Sequence, residues 1–527
     1  MRGTAVKSRL PRGRSARDEP IPAERGDGLS ETDSFGELVA HLRRIETVDG
    51  ISNTLDWDQQ TMMPPKAAAL RGEQQALLAG LSHAYISDPR IGDWLTALED
   101  SEDPVRAATS RNLGRTYRRE KRVPADLVDA LARAKSEGFG AWVQAKKSSD
   151  WASFEPKLQH LVDLTRRRAE AIDAERHPYE VLLEEFDPGS TVATLRDTFG
   201  RLRDGLVPLL EAIAGAPQLP GIDRELSVEG QESLHREIAE ALGYDFGAGR
   251  LDHAEHPFTS GLGPGDVRIT THLSADDFFG GLGSTVHETG HALYEQGLPH
   301  AHRGTTVAEA ASFGLHESQS RFWENFVGRS EAFFRWLAPK LPAHFEGATP
   351  DADALYRAAN RVMPSLIRVE ADEVTYNLHV IVRFELELAL FEGTLAVSDL
   401  PAAWNAKYEE YLGVTPPDDA RGVLQDVHWS SGAFAYFPSY TLGNLYAASM
   451  GKALEETLPA LWSQIEAGEF APILGWLREK VHARGHLLEA PEIVKEAVGE
   501  RDHVADLLDY LWQRHGALYG VSRPTSV

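Results

Sequence analysis

Helical periodicity is the feature that most constrains the fold of this chain. From Phe35 onward, apolar residues recur at spacings of three and four, the pattern of helices with one buried face. Gly and Pro interrupt it, for example within 297–299 and 413–417. We therefore expect a mostly α fold, with residues 35–527 forming one helical domain. The predicted helices cover about 36–50, 66–84, 124–145, 153–176, 191–214 and 228–242, with many more after 274.

One stretch breaks the helical pattern. Residues 253–273 read HAEHPFTSGLGPGDVRITTHL, in which Gly-Pro-Gly is turn chemistry and Val267 and Ile269 alternate with polar residues. The pattern predicts a short β-hairpin. Beside a catalytic helix, its edge would hold an extended peptide by strand addition, and a plain surface hairpin is the alternative.

The N-terminal residues differ from the rest of the chain. Residues 1–34 contain many Arg, Pro, Gly, Ser and acidic residues and few bulky apolar ones, which predicts a disordered tail. Its basic start is not followed by an apolar run, so it is not a secretory signal peptide. The sequence has no run of about 18 apolar residues, so we expect no membrane span and a cytoplasmic location.

Charge and cysteine content exclude several functions. The chain has 80 acidic and 54 basic side chains, a net charge of −26, which argues against nucleic acid or an anionic membrane as partner. It contains no cysteine, so neither a disulfide nor a thiol nucleophile is available. Any metal site must use His, Asp or Glu.

A metal-binding motif stands at residues 287–291, which read HETGH. On a helix, His287 and His291 lie on one face about 6 Å apart along the axis, so both can reach one zinc ion. Glu288 is placed to take a proton from the attacking water, whose pKa zinc lowers. The alternative is a helix that carries two surface histidines.

The surrounding sequence supports a helix for this motif. Ser274 is the predicted N-cap, and Gly297 the predicted end. The apolar face is formed by residues at helical spacings: Phe279, Leu282, Val286 and Leu293.

A catalytic zinc site needs a third protein ligand. Glu295 lies about 12 Å along the same helix from the first histidine and cannot converge with both histidines. The ligand must come from another element, and the next strong helix is predicted over about 307–328. Glu317 is the candidate, while Glu309 and Glu324 are rivals that spacing does not exclude. Two His and one Glu with an open fourth position is typical of hydrolytic zinc enzymes.

Several separate motifs follow one another along the chain. They are His256-Pro257-Phe258, Asp266-Val267-Arg268-Ile269-Thr270, His287 to His291, His316-Glu317-Ser318-Gln319, Ile367-Arg368 with Ala371-Asp372, and Gly422 with Gln425-Asp426 and His428-Trp429. Their order resembles that of the carboxypeptidase Taq family of zinc carboxypeptidases. A further segment that looks familial contains Asp56-Trp57-Asp58, Thr61 and Pro64. The resemblance runs from Phe35 to the C-terminal end, and residues 1–34 are its departure.

The resemblance implies a fold, an activity and a metal. Glu317 would be the third ligand to one zinc ion per chain, with cobalt as an alternative ion. The fold would be a saddle-like helical body with a deep central groove and a small sheet beside the metal-binding helix, similar to neurolysin and angiotensin-converting enzyme. The enzyme would be a homodimer that releases single C-terminal amino acids from peptides with broad specificity, proline being a poor substrate.

Arg368 is the candidate for binding the substrate's terminal carboxylate. A guanidinium matches two carboxylate oxygens, and the resemblance supports this assignment through its I-R-x-x-A-D motif. The alternative is a surface pair with Asp372, four residues later on a helix.

Aromatic residues near the C-terminal motif supply a candidate oxyanion donor. By resemblance to angiotensin-converting enzyme, Tyr436 would donate to the oxyanion, and His428 would assist it or contact the substrate. Tyr440 is a weaker rival, and aromatics at helical spacing usually pack in a core. We further expect three residues to contact substrate or shape the groove wall, with a structural role as the alternative: His256, Arg268 and Gln425.

Three functions compete at this stage. The first is a zinc carboxypeptidase, and the second is a groove-type zinc oligopeptidase or dipeptidyl carboxypeptidase. The third is an inactive helical scaffold with structural zinc. The third is disfavoured because Glu288 is present and only three ligands are evident, whereas structural zinc sites are usually closed by four.

Overall fold

The computed structural model describes residues 31–524, and the chain is mostly helical, as predicted. Among these residues no helix is both long and apolar enough to span a membrane. The helices are α1 (Glu31–Thr61), α2 (Ala68–Ile86), α3 (Arg90–Ala97), α4 (Pro104–Arg122), α5 (Ala125–Ser148), α6 (Trp151–Ile172), α7 (Pro178–Leu183), α8 (Val192–Ala214), α9 (Val228–Leu242), α10 (Phe278–Gly297), α11 (Phe313–Arg321), α12 (Glu331–Leu337), α13 (Leu341–His344), α14 (Ala352–Ala359), α15 (Tyr376–Glu392), α16 (Leu400–Leu412), α17 (Pro438–Thr457), α18 (Leu461–Ala467), α19 (Ala471–Lys480), α20 (Ala490–Val498) and α21 (His503–Tyr519).

The six helices predicted before residue 250 correspond to α1, α2, α5, α6, α8 and α9. Three further helices in this region, α3, α4 and α7, have no counterpart among the predictions. α4 is strongly polar and has few bulky apolar residues, so the apolar pattern gave little signal for it. It forms nonetheless because Asp103 caps it, its side chain accepting from the backbone N–H groups of Val105 and Arg106 at 3.0 Å each.

The last four residues of the predicted tail are helical. Residues 31–34 form the first turn of α1, and Ser34 is buried. Glu31 pairs with Arg106 on α4 at 3.0 Å, which fixes this turn. The remainder of the predicted tail, residues 1–30, lies outside the described residues.

A small sheet contains β1 (Leu251–His253), β2 (Thr259–Gly263) and β3 (Asp266–Thr271), in the order β1-β3-β2. β2 and β3 form the predicted antiparallel hairpin, with Thr259 opposite Ile269. Gly263 and Gly265 have positive φ angles of 146° and 82°, which explains the glycines in this turn. β1 pairs parallel with β3 and was not predicted, because three residues are too short to show alternation.

Helix α10 lies at the centre of the fold and carries the HETGH motif. It packs against β3 and α9 on one side and α11 on the other. Its start differs from the prediction: Asp277, not Ser274, is the N-cap, and its side chain accepts from the Gly280 N–H at 2.9 Å. The Ser274 hydroxyl instead donates to the Asp276 carboxylate.

The second predicted metal-site helix is shorter than expected. α11 begins at Phe313, where Ser312 caps it by accepting from the Leu315 N–H at 3.0 Å. Residues 306–308 form a separate 3-10 turn, and residues 322–327 continue α11 as a π-helix. Glu309 therefore lies outside this helix.

Two glycines allow close packing around α11, which lies between α10 and α17. A Cβ atom at Gly290 would lie 2.7 Å from both the Gln319 carbonyl oxygen and the Ser320 Cα. On the opposite side, a Cβ atom at Gly443 would lie 2.5 Å from Cγ of Glu317. The three backbones can approach this closely only because both positions lack a side chain.

We expect Gly290→Ala to lower the free energy of unfolding by about 1–3 kcal/mol, because the added methyl group must displace backbone atoms of α11. Gly283, on the same helix, is the matched control, since its nearest neighbour would be a Glu324 carboxylate oxygen at 3.9 Å. Gly283→Ala should leave stability unchanged or raise it by up to about 1 kcal/mol. Urea unfolding of the metal-free proteins, followed by circular dichroism, measures both. Equal effects of the two substitutions would contradict the close-packing argument.

Candidate active site

The predicted metal ligands converge on one point. His287 and His291 come from α10 and Glu317 from α11, and one ligand atom from each lies within 4.8 Å of the others. Oε2 of Glu317 is 3.7 Å from Nε2 of His287 and 3.4 Å from Nε2 of His291. These separations suit a single ion with bonds of about 2.0–2.2 Å.

A carboxylate orients the first histidine. Nδ1 of His287 lies 2.8 Å from Oε2 of Glu324, which also accepts from Arg321 at 3.1 Å. Glu324, a rival for the third ligand, thus lies behind the imidazole and away from the convergence point. Such a contact fixes the tautomer that leaves Nε2 free to bind metal.

The second histidine is oriented by another imidazole. Nδ1 of His291 lies 2.6 Å from Nδ1 of His316, whose Nε2 lies 2.8 Å from Oε1 of Glu295. If His291 donates from Nδ1, its Nε2 lone pair is available for a metal. Glu295, which its spacing excludes as a ligand, lies at the outer end of this series of hydrogen bonds.

Glu317 is buried but held in its charged form. Its Oε1 accepts from Nε of Arg321 at 2.7 Å, which leaves Oε2 facing the two histidines. Burial favours the neutral acid, but Arg321 and the histidines outweigh it and hold the pKa of Glu317 well below its usual range. The carboxylate is therefore ionised, as a metal ligand must be.

Glu288 is positioned by the sheet. The hydroxyl of Thr259, the first residue of β2, donates to Oε2 of Glu288 at 2.6 Å. The Glu288 side chain is buried, and burial raises its pKa. It lines the same cavity as His287, His291 and Glu317.

A cavity of about 950 Å³ opens in front of these groups. Tyr436 and Tyr440 line it near the start of α17. The Tyr436 ring packs edge-on against Phe186 and Phe313, with ring centres 5.1 and 5.5 Å away. Burial raises the pKa of Tyr436 to about 12, so its hydroxyl keeps its proton at neutral pH and can donate a hydrogen bond.

His428 lies behind the cavity wall. Its Nε2 is 3.2 Å from the Tyr440 hydroxyl, and its ring stacks at a tilt near Tyr436, with centres 5.5 Å apart. Burial lowers the pKa of His428 to about 4, so the imidazole is neutral at neutral pH. It can act on the cavity through Tyr440.

Arg368 also lies outside the residues that line the cavity. Its side chain is buried, with Nη2 2.8 Å from Oδ1 of Asp426 and Nη1 3.1 Å from the Tyr376 hydroxyl. Its guanidinium carbon is 4.9 Å from the centre of the Tyr440 ring, so one aromatic side chain separates it from the cavity. The alternative of a helical pair with Asp372 is wrong, because Arg368 lies in a 3-10 turn and pairs with Asp426.

Gln425 is part of the buried network around Arg368. Its Oε1 accepts from the backbone N–H of Arg368 at 2.9 Å and from Arg383 at 2.7 Å. Its Nε2 donates to the Leu366 carbonyl at 2.9 Å. These bonds hold the 366–368 segment, and they leave the Gln425 amide turned away from the cavity.

The two predicted groove-wall residues lie apart from the metal site. Arg268 forms a two-pronged pair with Asp266, at 2.9 and 2.8 Å, and its guanidinium lies 4.3 Å from the centre of the Trp57 ring. His256 is exposed in the loop between β1 and β2. The next residues, Pro257 and Phe258, line the cavity instead.

Sequence reasoning missed three groups that complete the site: Arg321, Thr259 and the orienting role of Glu324. Arg321 and Glu324 follow Glu317 by four and seven residues, which places them on one helical face, a signal that was available. Thr259 carried no local signal, because its contact with Glu288 spans 29 residues.

Similar proteins cover nearly the whole chain. The family model described as carboxypeptidase Taq (M32) metallopeptidase matches residues 37–515. Thermostable carboxypeptidase 1 of Thermus thermophilus is 44% identical over 505 residues, which cover 92% of this chain and 99% of that protein. Carboxypeptidase 1 of Bacillus subtilis is 38% identical over 493 residues, covering 92% of this chain and 98% of that protein.

Solved structures share the fold. The M32 carboxypeptidase of Deinococcus radiodurans superposes with a TM-score of 0.89 at 38% identity, over 93% of this chain and 100% of that one. Metallocarboxypeptidase 1 of Trypanosoma cruzi superposes with a TM-score of 0.88 at 33% identity, over 92% of this chain and 99% of that one. The family match over residues 37–515 includes the elements that carry every residue of the candidate site.

The geometry predicts graded losses of metal affinity. Glu317→Gln should abolish tight binding of Zn²⁺, because a neutral amide is a poor zinc ligand. Glu324→Gln should weaken binding by roughly 10–100-fold, since it removes only the partner that orients His287. Glu309→Gln is the control and should leave affinity unchanged. Titration against a chromophoric chelator measures all three, and loss of the metal in Glu309→Gln but not in Glu317→Gln would refute the ligand assignment.

Proposed function

We propose that this chain, which belongs to the carboxypeptidase Taq (M32) metallopeptidases, is a zinc enzyme whose metal site lies at His287, His291 and Glu317. As a member of that family it is a metallocarboxypeptidase, a hydrolase of peptide bonds. It would release single amino acids from the C-terminus of peptides with broad specificity. The observation that carries this proposal is the convergence of three ligand atoms within 4.8 Å beside Glu288 in an open cavity.

The donor set suits zinc. Two imidazole nitrogens and one ionised carboxylate oxygen are typical ligands of a catalytic zinc ion, and three protein ligands leave a position for the reactants. One ion per chain fits these residues, and cobalt(II) would accept the same donors. When bound, the ion would supply Lewis acidity, which polarises the scissile carbonyl and acidifies the attacking water.

Glu288 is the proposed general base. The Thr259 hydroxyl engages Oε2, so we assign Oε1 to the attacking water. The carboxyl group would take the water's proton and then pass it to the leaving amine nitrogen. Its burial supports this role, because a raised pKa brings a carboxylate closer to the basicity that proton transfer at neutral pH requires.

Tyr436 is the proposed donor to the oxyanion. Its hydroxyl stays protonated at neutral pH and lies in the wall of the cavity that contains the metal ligands. Tyr440 is the rival donor, since it lines the same wall. We assign His428 a supporting role through its contact with the Tyr440 hydroxyl at 3.2 Å.

Arg368 remains our candidate for the terminal carboxylate. Its charge is paired with Asp426, and Tyr440 separates it from the cavity, so binding requires Tyr440 to move or the guanidinium to turn from Tyr376. Three other guanidinium groups line the cavity directly and are paired with glutamates: Arg115, Arg119 and Arg168. The experiment must therefore distinguish Arg368 from this group.

The proposed peptide site is a groove. A second hollow of about 440 Å³ shares Glu295, Thr306 and Glu309 with the catalytic cavity, which makes the two together an elongated cleft. This supports the saddle-like body with a deep groove that resembles neurolysin and angiotensin-converting enzyme. β2 is an edge strand whose first residue reaches Glu288, so it is suited to hold an extended peptide, with His256 and Arg268 flanking the hairpin. Homodimer formation stays a prediction, which sedimentation would test.

Glu288→Gln should keep its metal and lose turnover. The amide is nearly isosteric but cannot accept the water's proton, so kcat should fall by roughly 10²–10⁴-fold. Elemental analysis and release of C-terminal amino acids from peptides are the two measurements. Near wild-type kcat in the metal-loaded variant would refute the proposed role of Glu288.

The terminal carboxylate should control activity. If Arg368 binds it, amidating the peptide's C-terminus should weaken transition-state binding by about 2–5 kcal/mol. This corresponds to a fall in kcat/KM of roughly 30- to several-thousand-fold. Arg368→Ala should lose a comparable amount and should cleave free-acid and amidated peptides at similar rates, because both changes remove one interaction. Arg368→Lys should recover only part of the rate.

Arg119→Ala is the control from the cavity wall, and mass spectrometry of the products reports each case. If amidation slows cleavage and Arg119→Ala, but not Arg368→Ala, abolishes that discrimination, the carboxylate site lies at the cavity-wall arginines. If the amidated peptide is cut as fast as the free acid, the enzyme acts as an endopeptidase on these peptides.

A further inference from the structure

The backbone immediately before Tyr436 is strained. Ala435 has a φ angle of +65°, a left-handed conformation that costs free energy for any residue with a Cβ atom. Among the non-glycine residues in 31–524, only Ser149 shares this property, and Ser149 ends a helix, where such a conformation is common. Ala435 lies instead in the turn at residues 434–435, where a positive φ still costs free energy for a residue with a Cβ atom. Contacts that stabilise this conformation therefore help to set the direction of Tyr436, the next residue.

One buried carboxylate makes those contacts. Glu387, on α15, is fully buried, and its Oε2 accepts from the Ala435 backbone N–H at 3.0 Å. Its Oε1 accepts from the indole N–H of Trp429 at 2.7 Å. Oε2 also accepts from the Tyr179 hydroxyl at 2.8 Å. Glu387 thus binds both ends of the segment 429–435, which connects His428 to Tyr436.

The chemistry of this position calls for a carboxylate. All three partners are donors, and an ionised carboxylate is the side chain that accepts at both of its oxygens without offering a hydrogen. A glutamine would point its NH₂ group at one of the donors. Burying an isolated charge is unfavourable, and burial raises the pKa of Glu387 to about 7 despite its three donors. A residue this costly is hard to explain by packing alone.

The aromatic neighbours of Tyr436 do not replace this contact. Phe186 and Phe313 touch the edges of the Tyr436 ring and limit its sideways movement. They make no hydrogen bond to its backbone, so they cannot hold the Ala435 torsion angle. The bond from the Ala435 N–H to Glu387 thus holds the backbone that precedes Tyr436, while its ring is held by aromatic neighbours.

We propose that Glu387 is a positioning residue for hydrolysis, which holds Ala435 in its left-handed conformation so that the Tyr436 hydroxyl faces the site of the developing oxyanion. The proposal rests on the proposed role of Tyr436. Glu387 touches neither the substrate nor the metal ligands in this arrangement, and it acts only through the 429–435 segment.

The first experiment compares Glu387→Gln with Tyr436→Phe in the zinc-loaded enzyme. Tyr436→Phe should lower kcat by roughly 10²–10³-fold, as expected for removal of one oxyanion donor. Glu387→Gln should lower kcat by roughly 10–100-fold through misplacement of that donor, with KM and zinc content unchanged. In the double variant the two losses should not add, because the second change acts through a hydroxyl that is already absent.

Tyr179→Phe is the matched control. It removes one hydrogen bond to the same carboxylate but leaves the bonds to Ala435 and Trp429, so it should lower the unfolding midpoint without a comparable loss of kcat. Ala435→Gly provides a rescue, because glycine adopts a positive φ without strain. Combined with Glu387→Gln, it should restore part of the lost kcat. If Glu387→Gln does not fold, Glu387→Asp replaces it, since the shorter carboxylate cannot reach both Trp429 and Ala435.

The outcomes separate the two ideas. A Tyr436→Phe enzyme with wild-type kcat would remove the proposed oxyanion role. A slow Tyr436→Phe enzyme together with wild-type kcat in the folded Glu387 variant would overturn the positioning role of Glu387. Additive losses in the double variant, or no rescue by Ala435→Gly, would also overturn it, because Glu387 would then act on the rate by a route other than Tyr436.

Discussion

The buried charge of Glu317 is the constraint on which the site depends. A carboxylate in a protein interior is stable only with a compensating partner, and Arg321, one turn later on the same helix, supplies it at 2.7 Å. Because the partner occupies Oε1, the second oxygen is free to face the two histidines. The close approach of α11 to α10 at Gly290 and to α17 at Gly443 then places that oxygen 3.4 Å from Nε2 of His291. The packing of these helices thus sets the geometry of the three predicted metal ligands.

Around the three predicted ligands, each side chain of the candidate site has one partner that fixes its direction. Glu324 orients His287, and His316 orients His291. Thr259 does the same for Glu288, and this contact makes the small sheet part of the site. Precise placement of each group matters because an error of about 1 Å can cost two orders of magnitude in rate.

Behind the cavity wall, buried carboxylates hold segments that have no regular helix or strand to keep them rigid. Asp426 lies between Arg368 and Arg383, and although burial opposes its charge, the two guanidinium groups hold its pKa well below the usual range. Glu387 holds the segment before Tyr436 with neutral donors, which offset less of the effect of burial, so burial raises its pKa. The two acids thus stabilise neighbouring loops, but their pKa values are shifted in opposite directions.

The sequence alone determined the helical class, the hairpin and the spacing of the two histidines, because each is encoded within a few neighbouring residues. It determined the family through several motifs that follow one another in order along the chain. Without the family resemblance it could not choose among Glu309, Glu317 and Glu324, since that choice depends on where two separate helices cross. Tertiary structure decided that Glu324 orients a histidine and that Gln425 is turned into a buried network. These contacts join residues far apart in the chain, and their geometry is determined by packing, which no local pattern records.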